Sequence, residues 1–106
     1  MNIAKRMPTL LFLYSSRCGF SRRADALLAH VLQRGRNHER FAVRKIDLSE
    51  QPGLAERLGV RETPALWIVV DRRVVARLTR PTKTAELVTF LRPWLEARPA
   101  PPVEVG

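Results

Sequence analysis

Blocks of apolar and polar residues along the chain predict strands and helices in alternation. Residues 9–14, Thr-Leu-Leu-Phe-Leu-Tyr, form a nearly continuous apolar run, which is typical of a central strand covered on both faces. An amphipathic helix follows, because apolar residues recur at i, i+3, i+4, i+7 and i+8: Ala24, Leu27, Leu28, Val31 and Leu32. We expect Gly35 to end this helix. Alternation over 41–47 predicts a second strand, and the connection is long enough for a parallel, right-handed crossover.

The middle of the chain predicts a short helix and then a hairpin. Pro52 suits a first helical position and Gly59 suits a helix end, which leaves room for one short helix between them. Two β-rich segments, 65–70 and 73–79, are separated by the two residues at 71–72. A separation of two residues predicts an antiparallel hairpin.

A last helix is predicted after the hairpin, with Thr82 as its candidate cap. Its apolar stripe consists of Leu87, Phe90, Leu91, Trp94 and Leu95. Pro93 lacks a backbone donor, so we expect a kink or an early end of the helix near Arg92.

The element order β-α-β-α-β-β-α predicts an α/β fold with a four-stranded mixed sheet flanked by helices. A chain of 106 residues with 45% hydrophobic residues suits one domain. We assign residues 8–96 to this domain and residues 1–7 to an N-terminal extension. Residues 97–106 contain Pro99, Pro101 and Pro102, and we expect them to form a mobile tail.

The formal net charge of +9 arises from 19 basic and 10 acidic residues. The basic residues are scattered, without a run of five or interleaved aromatic residues, so the charge favours an acidic protein partner or an anionic small thiol over nucleic acid. His30 and His38 have no partner at metal-ligand spacing, and we expect no metal.

The sequence also indicates the compartment of the protein and whether it contacts a membrane. No segment approaches the ~20 apolar residues of a membrane span, and residues 9–14 are too short for the core of a signal peptide. The chain has one cysteine, which excludes an intramolecular disulfide framework and favours a reducing compartment. We therefore expect a cytoplasmic protein with no membrane contact.

That cysteine, Cys18, lies where the first strand gives way to the first helix. Unpaired N–H groups and the positive end of the helix dipole favour the thiolate there, and thiolate is the nucleophilic form. Arg17, Arg22 and Arg23 add positive charge nearby. The alternative is that Cys18 is an inert, small apolar residue.

Three neighbours complete the candidate site. Ser21 lies three residues after Cys18 on the same helix face, so its hydroxyl could donate to a thiolate; the alternative is an ordinary serine at a helix start. Gly19 leaves space beside the sulfur. Phe20 provides either an apolar rim or a cover for the core.

The element order, with Cys18 at the first strand-to-helix turn and Thr63-Pro64 before the hairpin, resembles the thioredoxin fold. The resemblance covers about residues 8–95, and residues 51–66 are very similar to thioredoxins across their second helix and cis-proline turn. It implies a cis Thr63-Pro64 bond that faces Cys18, with the backbone of Thr63 free to pair with an extended substrate as an added strand. Arg17, Gly19, Phe20, Thr63 and Pro64 are thus the expected substrate-binding residues.

The tetrapeptide Cys-Gly-Phe-Ser resembles the active site of monothiol glutaredoxins. Relative to thioredoxins, Ser21 replaces the second cysteine, Arg17 replaces a tryptophan, and Phe12 replaces the buried acid that serves that second cysteine. The Gly-Gly stretch by which monothiol glutaredoxins hold glutathione does not occur. We also expect no full N-terminal strand and helix of the thioredoxin type before residue 9.

Three functions remain open. The first is a monothiol thiol–disulfide oxidoreductase, with Cys18 and Ser21 as catalytic residues, a protein disulfide or mixed disulfide as substrate, no tightly bound cofactor, and glutathione or another small thiol as co-substrate. The second is a non-catalytic thioredoxin-like module for protein binding or assembly. The third is a glutathione-linked carrier of an iron–sulfur cluster.

Overall fold

The predicted α/β architecture is confirmed by a computed structural model, which describes residues 7–35 and 37–95. The strands are β1 (Thr9–Tyr14), β2 (Ala42–Asp47), β3 (Ala65–Val70) and β4 (Arg73–Thr79), and the helices are α1 (Gly19–Gln33), α2 (Leu54–Leu58) and α3 (Thr84–Leu95). Two 3-10 turns, Asn37–Arg40 and Leu48–Glu50, flank β2. The predicted tail at 97–106, and the predicted extension at 1–7 except for Met7, lie outside the described residues.

The strands form one mixed sheet in the order β2-β1-β3-β4. Strand β1 pairs with β2 in parallel and with β3 antiparallel, and β3 pairs with β4 antiparallel. Side chains from β1 enter the core on both faces of the sheet: Phe12 packs on one face and Leu13 on the other. This two-sided burial explains the continuous apolar run of β1.

Two unequal hydrophobic clusters hold the helices to the sheet. Helices α1 and α3 cover one face through Leu28, Val31, Leu87 and Leu91, which pack with residues of β1 and β3. The short helix α2 covers the opposite face, where Leu54 and Leu58 pack near Trp67. The carboxyl end of β1 leads through residues 15–18 to the start of α1.

Helix α1 ends two residues before the predicted end at Gly35. Arg34 caps it with an extended backbone, and its N–H donates to the Val31 carbonyl at 3.2 Å. The Asn37 side chain donates to the same carbonyl at 2.9 Å. Gly35 follows with φ +52°, so this glycine serves the turn after the helix.

The predicted start of α2 is wrong, whereas its predicted end is confirmed. The helix begins at Leu54, and its cap is Gly53 at φ +89°, so Pro52 precedes the helix. Gly59 has φ +76°, and its N–H points to the carbonyls of Ala55 and Glu56. The left-handed glycine satisfies the last carbonyls of the helix, as its place in the sequence predicts.

Helix α3 differs from the sequence prediction at both ends. Its start is organised by Glu86, whose Oε1 accepts from the backbone N–H groups of Thr82 at 2.6 Å and Lys83 at 3.0 Å. The helix therefore begins at Thr84, and Thr82 does not cap it. An early end near Arg92 is also wrong, because the helix continues through Pro93 to Leu95. Trp94 and Leu95 pack against the core, and this packing offsets the backbone hydrogen bond that proline cannot make.

Strand β2 starts one residue after the predicted position and lies at an edge of the sheet. Phe41 is buried just outside the strand, whereas residues 42–45 are all exposed. The hairpin prediction is confirmed: Asp71 and Arg72 join β3 to β4 with φ values of 53° and 67°. Two left-handed residues match the twist of a two-residue hairpin turn.

Candidate active site around Cys18

Cys18 caps the N-terminus of α1, which is where the sequence predicts it. Its backbone is extended, at φ −108° and ψ 120°, and its N–H donates to the Ser15 carbonyl at 3.0 Å. The Cys18 carbonyl accepts from the N–H of Ser21 at 3.0 Å and starts the helix. The thiol is half-buried and free. It therefore lies within reach of solvent and beside the unpaired N–H groups of the first helical turn.

The Thr63-Pro64 turn faces this cysteine, although it lies far along the chain. The peptide bond between the two residues is cis, as the resemblance implies, and Pro64 is fully buried. The Cys18 thiol donates to the Thr63 carbonyl oxygen, with Sγ at 3.5 Å. Within residues 7–35 and 37–95 no acceptor pairs with the Thr63 N–H. In that part of the chain the donor has no partner, whereas the Thr63 carbonyl accepts from both Cys18 and Arg80.

The pKa of the Cys18 thiol is lowered from 9.0 to about 7. The largest cause is hydrogen bonding from the side chain of Thr63; burial opposes it, and the N–H and hydroxyl of Ser21 and the N–H of Phe20 lower the pKa further. The Thr63 carbonyl favours the protonated form, because it accepts from the thiol, but the donors to sulfur outweigh it. Near neutral pH a substantial share of Cys18 is thiolate.

Ser21 is the one buried polar residue in the described part of the chain, with 2% of its surface exposed. Its Oγ accepts from the Ser15 N–H at 3.2 Å, and its hydroxyl also helps to lower the Cys18 pKa. A hydroxyl can do both, because it carries one donor and two acceptor sites. Ser21 thus connects the loop before Cys18 to the sulfur.

The arginines that flank Cys18 in sequence do not account for its lowered pKa. Arg17, Arg22 and Arg23 are all exposed, and the causes of the shift are hydrogen bonds and burial. Gly19 is also exposed, and a Cβ added there would meet only the Arg22 Nη2 at 3.9 Å, an ordinary contact. A side chain at Gly19 is therefore compatible with the packing of the fold.

Arg80, a residue that the sequence did not indicate, completes the site. It follows β4 with φ +50°, and its N–H donates to the Pro64 carbonyl at 2.9 Å. Its Nε donates to the Thr63 carbonyl at 2.8 Å, and its guanidinium carbon lies 4.4 Å from the centroid of the Phe20 ring. The ring of Phe20, which is 42% exposed, therefore forms part of the rim of the site and does not cover the core.

Asp47, at the end of β2, fixes the loop that leads to Cys18. Its Oδ1 accepts from the Ser49 hydroxyl at 2.6 Å, the Ser49 N–H at 3.0 Å and the Ser16 N–H at 3.2 Å. These hydrogen bonds, led by the Ser49 hydroxyl, lower the pKa of Asp47. Asp47 therefore caps the 3-10 turn at Leu48–Glu50 and also connects that turn to Ser16.

A pocket of about 260 Å³ lies behind Ser21. Phe12, which the resemblance to thioredoxins matches with a buried acid, lines the pocket and is 1% exposed. The charged groups in this pocket include Asp25 and Lys45, whose Oδ1 and Nζ atoms are 2.7 Å apart, each about half-exposed. A carboxylate is thus present near Ser21, but it comes from α1 and is already paired with a lysine.

The described residues show neither a cluster of metal ligands nor a membrane-spanning helix. Across 7–35 and 37–95, no group of three or more His, Cys, Asp or Glu side chains is placed to hold a metal ion. In that part of the chain, no helix has the length and apolar character needed to cross a membrane.

Comparisons with known proteins agree with this geometry. The family model described as Thioredoxin matches residues 1–93, and a comparison with curated protein sequences gives no match. The germline-specific thioredoxin Deadhead of Drosophila melanogaster shares 20% identity over 85% of this chain and 83% of that chain, with a TM-score of 0.71. A mutant thioredoxin from Halobacterium salinarum shares 23% identity over 91% and 81%, with a TM-score of 0.69.

A third similar structure is the oxidised mitochondrial thioredoxin 3 of Saccharomyces cerevisiae, with 16% identity over 85% of this chain and 81% of that chain and a TM-score of 0.69. At identities this low, the similar structures demonstrate only a shared fold. The family model, which matches residues 1–93, shows the family. Together with the cysteine at the start of α1, these comparisons identify the protein as a member of the thioredoxin family of thiol redox proteins.

Proposed function

We propose that the protein is a monothiol thiol–disulfide oxidoreductase whose nucleophile is Cys18. The observation that carries this proposal is the position of the sulfur, half-buried at the N-terminus of α1 and 3.5 Å from the Thr63 carbonyl, with a pKa of about 7. A thiol with a pKa near the ambient pH combines a large thiolate fraction with good nucleophilicity. An inert core cysteine would need neither access nor donors to its sulfur.

The reaction breaks one sulfur–sulfur bond and forms another. The Cys18 thiolate attacks one sulfur of a substrate disulfide, a Cys18–substrate bond forms, and the other substrate sulfur leaves as a thiolate. When Cys18 deprotonates, its hydrogen bond to the Thr63 carbonyl is lost, and one acceptor site of that oxygen becomes available. The free Thr63 N–H and this site then pair with an extended substrate backbone as an added strand.

An external thiol completes the cycle, because the chain has one cysteine. Glutathione or another small thiol attacks the mixed disulfide and releases Cys18 as a thiolate. Ser21, at the position of the second cysteine of thioredoxins, supports the Cys18 thiolate through its hydroxyl instead of resolving the mixed disulfide.

The proposed substrates are protein disulfides or cysteines that carry a small thiol. A net charge of +9 favours acidic partners through long-range attraction. We assign this chemistry to the cytoplasm, where small thiols are kept reduced and can resolve the intermediate.

The test is formation and release of a mixed disulfide, followed by mass spectrometry. Reduced protein mixed with the neutral hydroxyethyl disulfide should gain one mercaptoethanol adduct on Cys18 and lose it again when glutathione is added. Cys18→Ser should gain none. A Cys18 that reacts no faster than a cysteine in an unfolded peptide at the same pH contradicts the proposal.

Ser21→Cys is a matched gain-of-function variant. Residues three apart share a helix face, so the new thiol lies on the side of the mixed disulfide. We expect this variant to release mercaptoethanol without added glutathione, whereas Ser21→Ala holds the adduct. If partner proteins bind Cys18→Ser as tightly as wild type and no adduct forms, the chain is instead a binding module of the same fold.

A further inference from the structure

We infer that Arg80 forms an anion-binding subsite beside Cys18, which selects disulfides that carry a carboxylate close to the reacting sulfur. This inference rests on the proposed exchange chemistry of Cys18 and assigns it a substrate class.

The backbone of Arg80 is the first observation. Its φ of +50° lies in the left-handed region, which disfavours residues with a Cβ and favours glycine. The position is held by the N–H of Arg80, which donates to the Pro64 carbonyl at 2.9 Å. Glycine would meet this backbone requirement with less strain. An arginine at such a place points to a use of its side chain.

The second observation is where the side chain is held. Nε donates to the Thr63 carbonyl at 2.8 Å, and the Cys18 sulfur approaches the same oxygen at 3.5 Å. The guanidinium also lies over the Phe20 ring, at 4.4 Å from its centroid. These contacts come from both chain segments that flank the sulfur, so the cation is fixed next to the reacting atom.

The third observation concerns the N–H donors of the Arg80 guanidinium that have no acceptor. Arginine has five N–H donors, and only the Nε donor has an acceptor among residues 7–35 and 37–95. No carboxylate in those ranges forms an ion pair with Arg80. The four Nη donors are therefore available to a ligand, and a carboxylate fits a guanidinium edge with two parallel hydrogen bonds.

Stabilisation of the thiolate does not account for this arrangement. Hydrogen bonds from Thr63, Ser21 and Phe20 lower the Cys18 pKa, and Arg80 is not among the causes. The guanidinium of Arg80 is thus available to bind the substrate. Its carboxylate comes either from an acidic residue next to a cysteine of a protein or from a small acidic thiol, and both present the same chemistry.

Arg72 provides a matched control. It also has a left-handed backbone, at φ 67°, and it lies exposed in the β3–β4 turn at the other end of β4. Arg72→Gly and Arg80→Gly each remove one positive charge and relieve the same kind of strain. A difference between the two variants therefore reports the position of the charge and not the net charge of the protein.

The experiment compares second-order rates of Cys18 with dithiodiglycolate, which carries two carboxylates, and with its neutral diamide. We expect Arg80→Gly to react about fivefold more slowly than Arg72→Gly with the dianion, and at the same rate within about twofold with the diamide. Dividing the rates of the two variants for each probe cancels the intrinsic reactivity of that disulfide. Arg80→Lys, which keeps the charge, should regain part of the lost rate.

The source of the carboxylate is separated by a second pair of probes. Glutathione disulfide is compared with its ethyl ester, and a peptide disulfide with Asp beside the cysteine is compared with its Asn counterpart. For each pair, the rate with the charged probe is divided by the rate with its neutral counterpart. The pair for which this ratio falls in Arg80→Gly identifies the source of the carboxylate.

If Arg80→Gly and Arg72→Gly react at the same rate with every probe, the subsite is overturned. The proposed function still stands in that case, provided that the diamide reacts. If no disulfide reacts with wild type, the proposed function fails, and the subsite fails with it. If Arg80→Gly slows the dianion and the diamide equally, Arg80 acts only by holding the Thr63-Pro64 turn, and the subsite is again overturned.

Discussion

The sulfur of Cys18 lies 3.5 Å from the carbonyl oxygen of Thr63, which is 45 residues further along the chain. One residue begins a helix and the other precedes a buried cis proline, so two rigid elements determine their separation. The side chain of Thr63 and groups of Ser21 and Phe20 lower the pKa of the Cys18 thiol through hydrogen bonds. Four predictions follow from the groups at this contact and from those that support it.

The reactivity of Cys18 should depend on Thr63. Alkylation by iodoacetamide, measured against pH, is expected to have its midpoint at about 7 in wild type, because the lowered pKa of the Cys18 thiol exposes thiolate there. Thr63→Val removes the hydroxyl, the largest cause of the lowering, so the midpoint should rise toward 9.0. Thr79→Val, at the exposed end of β4, is the control and should leave it unchanged. A wild-type midpoint already near 9.0 contradicts this prediction.

The stability of the reduced protein should rise between pH 7 and pH 9 because of Cys18. The folded pKa of about 7 lies below the ordinary value of 9.0, so the folded state ionises first and is stabilised as the pH increases between them. That stabilisation is lost as the pH falls through 7. Thermal unfolding of wild type and Cys18→Ser, both under reducing conditions, isolates the effect. The difference in Tm should change in favour of wild type from pH 6 to pH 9, and a change in the opposite direction would falsify the assignment.

Ser21→Ala should cost about 1 kcal/mol of unfolding free energy, because it leaves the Ser15 N–H without its acceptor in a partly buried site. The same change should raise the pKa of Cys18, since the Ser21 hydroxyl helps to lower it. Chemical denaturation gives the first quantity, and the pH profile of alkylation gives the second. Ser16→Ala, an exposed serine in the same loop, should have little effect on either. A stable Ser21→Ala with an unchanged profile would show that the buried hydroxyl is not part of the site.

Asp47→Asn should loosen the loop before Cys18 without removing any core residue. The carboxylate accepts from Ser49 and from the Ser16 N–H, and these hydrogen bonds lower its pKa. A lowered carboxyl pKa stabilises the folded state above the ordinary pKa of 3.8, and this contribution is lost as the pH falls through the folded pKa. Tm should thus fall in Asp47→Asn at neutral pH and approach that of wild type in acid. Glu50→Gln, in the adjacent 3-10 turn, is the control, and an equal loss of Tm in both variants contradicts a specific role for Asp47.

Much of the fold could be predicted from short-range patterns. The run at 9–14 predicted a doubly covered strand, and Phe12 and Leu13 are buried on its opposite faces. The two residues between 65–70 and 73–79 predicted the hairpin, whose turn has two left-handed residues. These features depend on neighbours in sequence, which is why the sequence displays them.

Both ends of α3 differ from the prediction, because other contacts outweigh the rule for a single residue. Pro93 predicted an early end, but Trp94 and Leu95 pack on the core and extend α3 past it. Thr82 has the side chain of a cap, yet the Glu86 carboxylate takes the backbone donors and moves the helix start to Thr84. Packing on the core therefore extends one end of α3, whereas an acceptor four residues after Thr82 sets the other end.

The order of elements, the place of the single cysteine at the start of α1 and the Thr63-Pro64 turn could be predicted from sequence, because periodicity, turn chemistry and proline act over a few residues. The groups that surround the sulfur could not be predicted, because they come together only in the folded chain. Hydrogen bonds from Thr63 and Ser21, not the flanking arginines, lower the Cys18 pKa. Arg80 reaches the site because the pairing of β3 with β4 returns the chain to Pro64. This contact depends on the register of the sheet and on the left-handed backbone of Arg80. Neither can be predicted from the residues that are adjacent in sequence.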